Sequence, residues 1–275
     1  MNFDLPPTEQ TGPIRDLETL SIAELTAGMQ SSLTAVEQAV TTALPAANAL
    51  IEALVQRMKQ GGRLFYIGAG TSGRLGVIDA SECPPTFGID PGVVIGLIAG
   101  GDGALRIAVE GAEDNSEGAW SDLQAFQPNT MDTVIGIAAS GRTPYVIGGL
   151  QQARDAGLLT GCITCNPDTE VERAAEYALV AVTGPEFITG STRLNAGTAT
   201  KLLLNMITTA TMIQLGHVRG SQMVDMRPSN KKLMERGVRM IIEATGLDAD
   251  RASSLLSSTG SVRAAIDQAK GDARA

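Results

Sequence analysis

The sequence predicts an α/β fold, a doubly wound and mostly parallel sheet of five strands with helical additions at both ends. Three observations predict it. Short β-rich runs alternate with segments of helical period along most of the chain. The runs are apolar throughout instead of alternating, as strands covered on both faces are. Glycine-rich turns follow them directly, and the chain has 31 glycines in 275 residues.

Strands are expected at 64–67, 93–99, 133–138, 161–165 and 178–182, and helices at 72–81, 104–126, 144–156, 170–176 and 196–215. Each strand-then-helix step implies a right-handed crossover. Before this core, Ile22, Leu25, Met29, Val36, Ala39, Val40, Leu44, Ile51, Leu54, Val55 and Met58 recur at helical spacing over 22–60. After it, 230–275 reads as short helices punctuated by Gly246 and Gly260. The expected organisation is an N-terminal helical arm (1–55), a central α/β domain (56–218) and a C-terminal helical region (219–275).

Composition removes several classes of function. With 21 basic and 30 acidic residues the net charge is −9, so the chain can hardly assemble the basic face a nucleic-acid partner requires. Aromatic residues are 3%, too few for base-stacking platforms. The longest stretch without charged side chains, 202–218, carries Asn205, Gln214 and His217 and reads as a buried helix, not a membrane span. Met1-Asn2-Phe3-Asp4 does not read as a secretory leader.

The three cysteines, Cys83, Cys162 and Cys165, disfavour a disulfide framework. The Cys162–Cys165 spacing lacks the second pair a zinc ribbon needs and lies inside a strand-like run, so it reads as buried packing. No His, Cys and Asp cluster has metal-ligand spacing, so no metal is expected. His217, the single histidine, reads as a helix-end or packing residue. A reducing, cytoplasmic setting fits these features.

In open parallel sheets ligands bind outside the carboxyl ends of the strands. Gly68-Ala69-Gly70-Thr71-Ser72-Gly73-Arg74 follows the first strand and matches G-x-G-x-x-G. A dinucleotide site wants an acid about 20 residues on to hold the ribose. Here the second strand runs into Ala99-Gly100-Gly101, and Asp102 comes too late. The hydroxyls of Thr71 and Ser72 at a helix start suit a phosphate monoester instead. After the third strand, Ser140-Gly141-Arg142-Thr143-Pro144 repeats the arrangement, with Pro144 in a first helical turn. Two such loops predict a phosphate cradle formed by Gly70, Thr71, Ser72, Gly73 and Arg74 with Ser140, Gly141, Arg142 and Thr143.

Three carboxylates are candidates beside it. Glu82 lies in Asp79-Ala80-Ser81-Glu82-Cys83-Pro84-Pro85. There the double proline is expected to end the helix and leave Glu82 poorly solvated, which favours a proton donor. Glu113 lies in Glu110-Gly111-Ala112-Glu113-Asp114-Asn115, beside the first loop. Glu186, after the fifth strand, is a candidate to face the ligand.

These segments resemble a known set. The two hydroxyl-and-glycine loops are similar to those of the sugar isomerase (SIS) domain, which binds phosphosugars. Asp79–Pro85 (DASECPP), Glu110–Asn115 (EGAEDN), Ala138–Tyr145 (AASGRTPY) and Thr189–Thr198 (TGSTRLNAGT) resemble the N-acetylmuramic acid 6-phosphate etherases over about residues 60–235. Two departures stand out: Asn195 occupies a position where the family usually has Lys, and the N-terminal segment keeps only Thr8-Glu9 of the family's TERRN-like start.

The resemblance implies an SIS-type fold and cleavage of the lactyl ether to N-acetylglucosamine 6-phosphate and D-lactate, without a cofactor, in cell-wall sugar recycling. It implies Glu82 as general acid, Glu113 as general base, and a homodimer. An aldose–ketose phosphosugar isomerase and a non-catalytic phosphosugar sensor are the alternatives, and release of lactate separates them from an etherase.

Overall fold

The structure is a computed structural model. It describes residues 5–12 and 14–272; Met1–Asp4, on which the leader expectation rests, lie outside the described residues. By their contacts the residues form two compact units. One comprises Met1–Ala80 and Val94–Thr211, the other Ser81–Val93 and Met212–Ala275.

The first unit contains the sheet. Strands β1 (Leu64–Gly68), β2 (Val94–Ile98), β3 (Thr133–Ile137), β4 (Leu159–Thr164) and β5 (Tyr177–Val180) lie in the order β2-β1-β3-β4-β5, and every neighbouring pair is parallel. β1, β3 and β4 are buried along their whole length, as their unbroken apolar character requires. The chain crosses from the β2 side to the β3 side of β1, so the loops after β1 and β3 flank the topological switch point of the sheet.

Two helices precede the sheet. Ser21 caps α1 (Ile22–Ser31) in a reciprocal capping box with Glu24. α2 (Leu33–Lys59) turns Val36, Ala39, Val40, Leu50, Leu54 and Val55 inward and packs on β5. The stretch Ile22–Lys59 is long and apolar enough to cross a membrane by composition, yet the repeating inward face of α2 is that of a core helix. The helix α3 (Gly70–Phe87) follows β1 and lies very close to the sheet. A Cβ on Gly76 would sit 3.0 Å from Tyr66 Cβ, and one on Gly96 of β2 would sit 2.5 Å from Val77 Cα.

Two sequence expectations need correction. The segment 104–126 is not one helix. It forms single 3₁₀ turns at Asp102–Leu105 and Ala112–Asp114, and then α4 (Gly118–Gln124). Gly103, Gly111 and Gly118 weaken the helical pattern, and Gly111 takes φ 71°, a left-handed conformation that breaks the helix. Nor does the double proline end α3, which runs through Pro84 and Pro85 to Phe87. Proline removes a donor but its φ is helical, so one last turn persists and closes on the bond from Gly88 N–H to Pro84 O (2.9 Å).

β3 leads into α5 (Pro144–Asp155), and β4 into α6 (Glu170–Ala174), which Thr169 caps. Cys162 lies within β4 and Cys165 just after it. Both thiols are buried, and loss of solvation pushes each pKa up to about 12, which makes them poor nucleophiles.

The long helix α7 (Asn195–Gln214) is the one expected over 196–215 and buries Ala196, Ala199, Leu203, Leu204 and Ile207. Its N-terminus settles the role of Glu186. That side chain is fully buried and its two oxygens accept from Asn195 N–H (2.8 Å) and Ala196 N–H (2.9 Å). Glu186 therefore satisfies the first donors of α7 instead of facing a ligand, a correction to the sequence expectation. Burial raises its pKa, and the two backbone donors oppose the rise. Asn195 is itself held by a 2.8 Å bond from Ser32 Oγ.

In the second unit, α8 (Lys231–Thr245), α9 (Ala249–Thr259) and α10 (Val262–Asp272) enclose a small core around Met240, Ile241, Leu256 and Ile266. Gly246 and Gly260 close α8 and α9, as the sequence predicts. His217 belongs to this unit, where Asp225 bridges it (3.0 Å) to Arg263. Arg227 reaches back to Gly88 O, Ile89 O and Asp90.

The anchoring of α7 is directly measurable. Glu186→Gln keeps one acceptor and turns an NH₂ group toward the other backbone donor. Urea unfolding should show a loss of about 1–3 kcal/mol; unchanged stability would mean that the carboxylate does not hold the helix.

Candidate functional site

The site begins at the β1–α3 turn, where packing leaves no room for a side chain on Gly68 or Gly73. A Cβ on Gly68 would approach Gly73 N to 2.7 Å, and one on Gly73 would approach Gly68 O to 2.7 Å and Ile98 Cγ1 to 2.6 Å. Thr71 and Ser72 sit half-buried in the first turn of α3, whose N-terminal peptide dipoles favour an anion.

The companion loop follows β3. Thr143 is the N-cap of α5 and Pro144 its first residue, as expected. Gly141 has φ 71°, and a Cβ there would lie 2.3 Å from Thr169 Cγ2, so no other residue fits this turn. Gly68 of β1 and Ile137 of β3 are register partners, so the two glycine-and-hydroxyl loops leave adjacent strands at the same level.

A cavity in the first unit brings Gly70 and Arg74 together with Glu110 and Glu113. Glu113 is exposed on the 3₁₀ turn Ala112–Asp114, which packs against α5. Arg74 has a different task from the one its place in the loop suggests. Its guanidinium donates to Leu105 O (3.0 Å) and Ala104 O (2.7 Å), fixing the turn that forms one wall of the cavity. Arg142 is exposed and lines a second cavity with Ser140, Asn166 and Arg173.

Glu82 lies in the other unit. It is exposed, and its neighbour Cys83 is the buried one, so the desolvation expected from the proline pair is not found. The helix continues past Glu82 to Phe87 and leaves it on an exposed face. Among the described residues, no group of three His, Cys, Asp or Glu side chains is placed to hold a metal ion.

Sequence reasoning gave no site role to two residues near these loops. Asp79, buried in α3, accepts from Tyr66 Oη (3.1 Å), Asn205 Nδ2 (2.7 Å) and Thr208 Oγ1 (3.3 Å) and thereby ties α3 to β1 and α7. Burial raises its pKa, and the hydrogen bonds oppose that rise. Asn166, just beyond β4, donates to Ala139 O (3.1 Å) and Ser140 O (3.4 Å) behind the second loop. An isolated Asn after a strand carries no signal that it serves a loop 26 residues away.

Residues 47–154 match the glucokinase regulatory protein N-terminal SIS domain and residues 112–210 match the SIS domain. A phosphoheptose isomerase structure from Francisella tularensis superposes with a TM-score of 0.54 at 18% identity, covering 71% of this chain and all of that one. One from Neisseria gonorrhoeae gives 0.53 at 15%, covering 69% and 97%. These two establish the fold. Among curated relatives, the N-acetylmuramic acid 6-phosphate etherase of Christiangramia forsetii is 52% identical over 99% of both chains. That of Bacteroides fragilis is 54% identical over 96% of this chain and 94% of its own. That of Salmonella typhi is 50% identical over 94% and 88%. Two glycine loops at the switch point of an SIS fold, with half of all residues shared end to end, place this chain in the N-acetylmuramic acid 6-phosphate etherase family.

Proposed function

We propose that this protein is a carbon–oxygen lyase that cleaves the lactyl ether of N-acetylmuramic acid 6-phosphate, giving N-acetylglucosamine 6-phosphate and D-lactate. The observation that carries the reading is the 52% identity to an etherase across 99% of the chain. The loops after β1 and β3 supply the phosphate site: Gly70, Thr71, Ser72 and Gly73 on one side, Ser140, Gly141, Arg142 and Thr143 on the other. Arg74 contributes by holding the cavity wall. Cytoplasmic residence and a role in cell-wall sugar recycling follow from this substrate.

The chemistry needs two proton transfers. The C2 proton is removable because it lies α to the C1 aldehyde of the opened sugar. Glu113, in the cavity beside Gly70, is the base. The ether oxygen must gain a proton as its bond breaks, and Glu82 is assigned that role from its place in the DASECPP segment. Water then adds to the unsaturated aldehyde and restores the sugar, so atoms balance without a cofactor.

A homodimer accompanies this reading. Leu202 and Met206, one turn apart on α7, remain 37% and 38% exposed, an apolar pair suited to a partner surface. Met206→Glu should convert a dimer to a monomer in light scattering; a wild-type monomer would dismiss the assembly.

The phosphate site is tested by Ser72→Ala and Ser140→Ala, each expected to weaken binding of the 6-phosphate sugar by about 1–3 kcal/mol in calorimetry. Unchanged affinity in both would remove it. For the acid and base, proton NMR in D₂O is combined with enzymatic lactate detection. Glu82→Gln should still exchange the C2 proton for deuterium while releasing little lactate, whereas Glu113→Gln should lose both activities. Each loss should be about 10²–10⁴-fold. The opposite pattern would reverse the two roles, and full lactate release by both variants would refute the assignment.

A further inference from the structure

We propose that Thr8 is a positioning residue for the substrate phosphate: the N-terminal strap around it locks the Ser140 loop through Asn166. The inference rests on the reading that this loop holds the phosphate.

Thr8 sits in a 3₁₀ turn, Pro7–Glu9, far in sequence from every loop of the site, and is fully buried. It forms a two-way pair with Asn166: Thr8 N–H donates to Oδ1 (3.1 Å), and Thr8 Oγ1 accepts from Nδ2 (2.8 Å). Two such bonds fix the plane of the Asn166 amide. The same Nδ2 donates to Ala139 O and Ser140 O, the two carbonyls at the start of the loop. Ala139 O also accepts from Cys165 N–H (3.0 Å).

A trans peptide points its N–H opposite its C=O, and the structure has no cis bonds among the described residues. Tying Ala139 O toward Asn166 and Cys165 therefore turns the Ser140 N–H to the other side, the side on which a ligand approaches the strand ends. Gly141 is restrained in the same way, with its carbonyl accepting from Val171 N–H (3.2 Å) and Thr169 packed where a Cβ would lie. Only the Asn166 restraint depends on a residue outside the β4–α6 segment.

The strap has further contacts along its course. A Cβ on Gly12 would meet Glu186 O at 2.9 Å, and one on Gly190 would meet Glu9 Oε2 at 3.1 Å. The strap thus crosses the loops that follow β4 and β5, and Thr8 is its buried peg. A surface segment held only by chain connectivity would not bury a hydroxyl with both of its amide partners satisfied.

The test uses the full-length protein and steady-state lactate release, with Thr8→Val, Thr8→Ser and Ser140→Ala in parallel, and folded fraction checked by thermal melting. Thr8→Val keeps the shape and the backbone donor but removes the oxygen that orients Nδ2. It should raise KM for the phosphosugar about 5–30-fold, the factor that follows from losing one or two kcal/mol of binding, with kcat within about twofold. The inhibition constant for inorganic phosphate should rise in parallel, and Thr8→Ser should restore both. An unchanged KM in Thr8→Val beside a raised KM in Ser140→Ala would overturn the inference and leave the phosphate reading intact. Activity falling only in proportion to folded fraction would also overturn it. An unchanged KM in Ser140→Ala would reject the phosphate reading itself.

Discussion

The tight packing between the end of β1 and the start of α3 is the constraint on which the rest depends. Gly68 and Gly73 leave no room for a side chain on either, and Gly76 and Gly96 extend the same intimacy along the helix. A helix that lies this near the sheet has its N-terminal turn at the strand ends, where its unpaired amide dipoles meet any ligand at the switch point. The residue types in the loop serve that geometry first. Their agreement with an anion site follows from the helix start they create.

Around this turn, buried polar groups are used to fasten one element to another. Asp79 joins α3 to β1 and α7, Glu186 holds the start of α7, and Arg74 fixes the turn at Ala104 and Leu105. A charge taken out of water costs several kcal/mol unless hydrogen-bonded, so charges near a site are first assigned to whichever donors or acceptors the backbone leaves open. Glu186 and Arg74 both look like ligand contacts in a linear reading because they neighbour the motif loops. In the fold they hold the scaffold.

The second unit shows a related economy. Arg227 reaches the carbonyls of Gly88 and Ile89 at the end of α3, and the left-handed Gly88 lies so close to Asp225 that a Cβ would clash with the Asp225 carbonyl. The segment carrying Glu82 is therefore packed with residues more than 130 positions later, although it follows directly from the phosphate loop in sequence. This grouping places the candidate acid in the same unit as the C-terminal helices.

The sequence by itself determined the fold class, the order of its strands and helices, the two glycine loops and the relation to the etherases. These are local signals: apolar runs without alternation, Pro144 at a helix start, Gly246 and Gly260 at helix ends, and a specific DASECPP segment. It misjudged 104–126, because periodicity there competes with two glycines, Gly111 and Gly118, and it misjudged the proline pair, because proline weakens a helix end without abolishing its last turn. Only the tertiary structure decided which polar residues were already spent on capping, as Glu186 is, and which distant ones stand behind the site, as Thr8 and Asn166 do. The physical reason is range. Propensity and patterning act over a few residues, whereas the partner of a buried donor or acceptor is fixed by whichever chain segment packs against it, here up to 158 positions away.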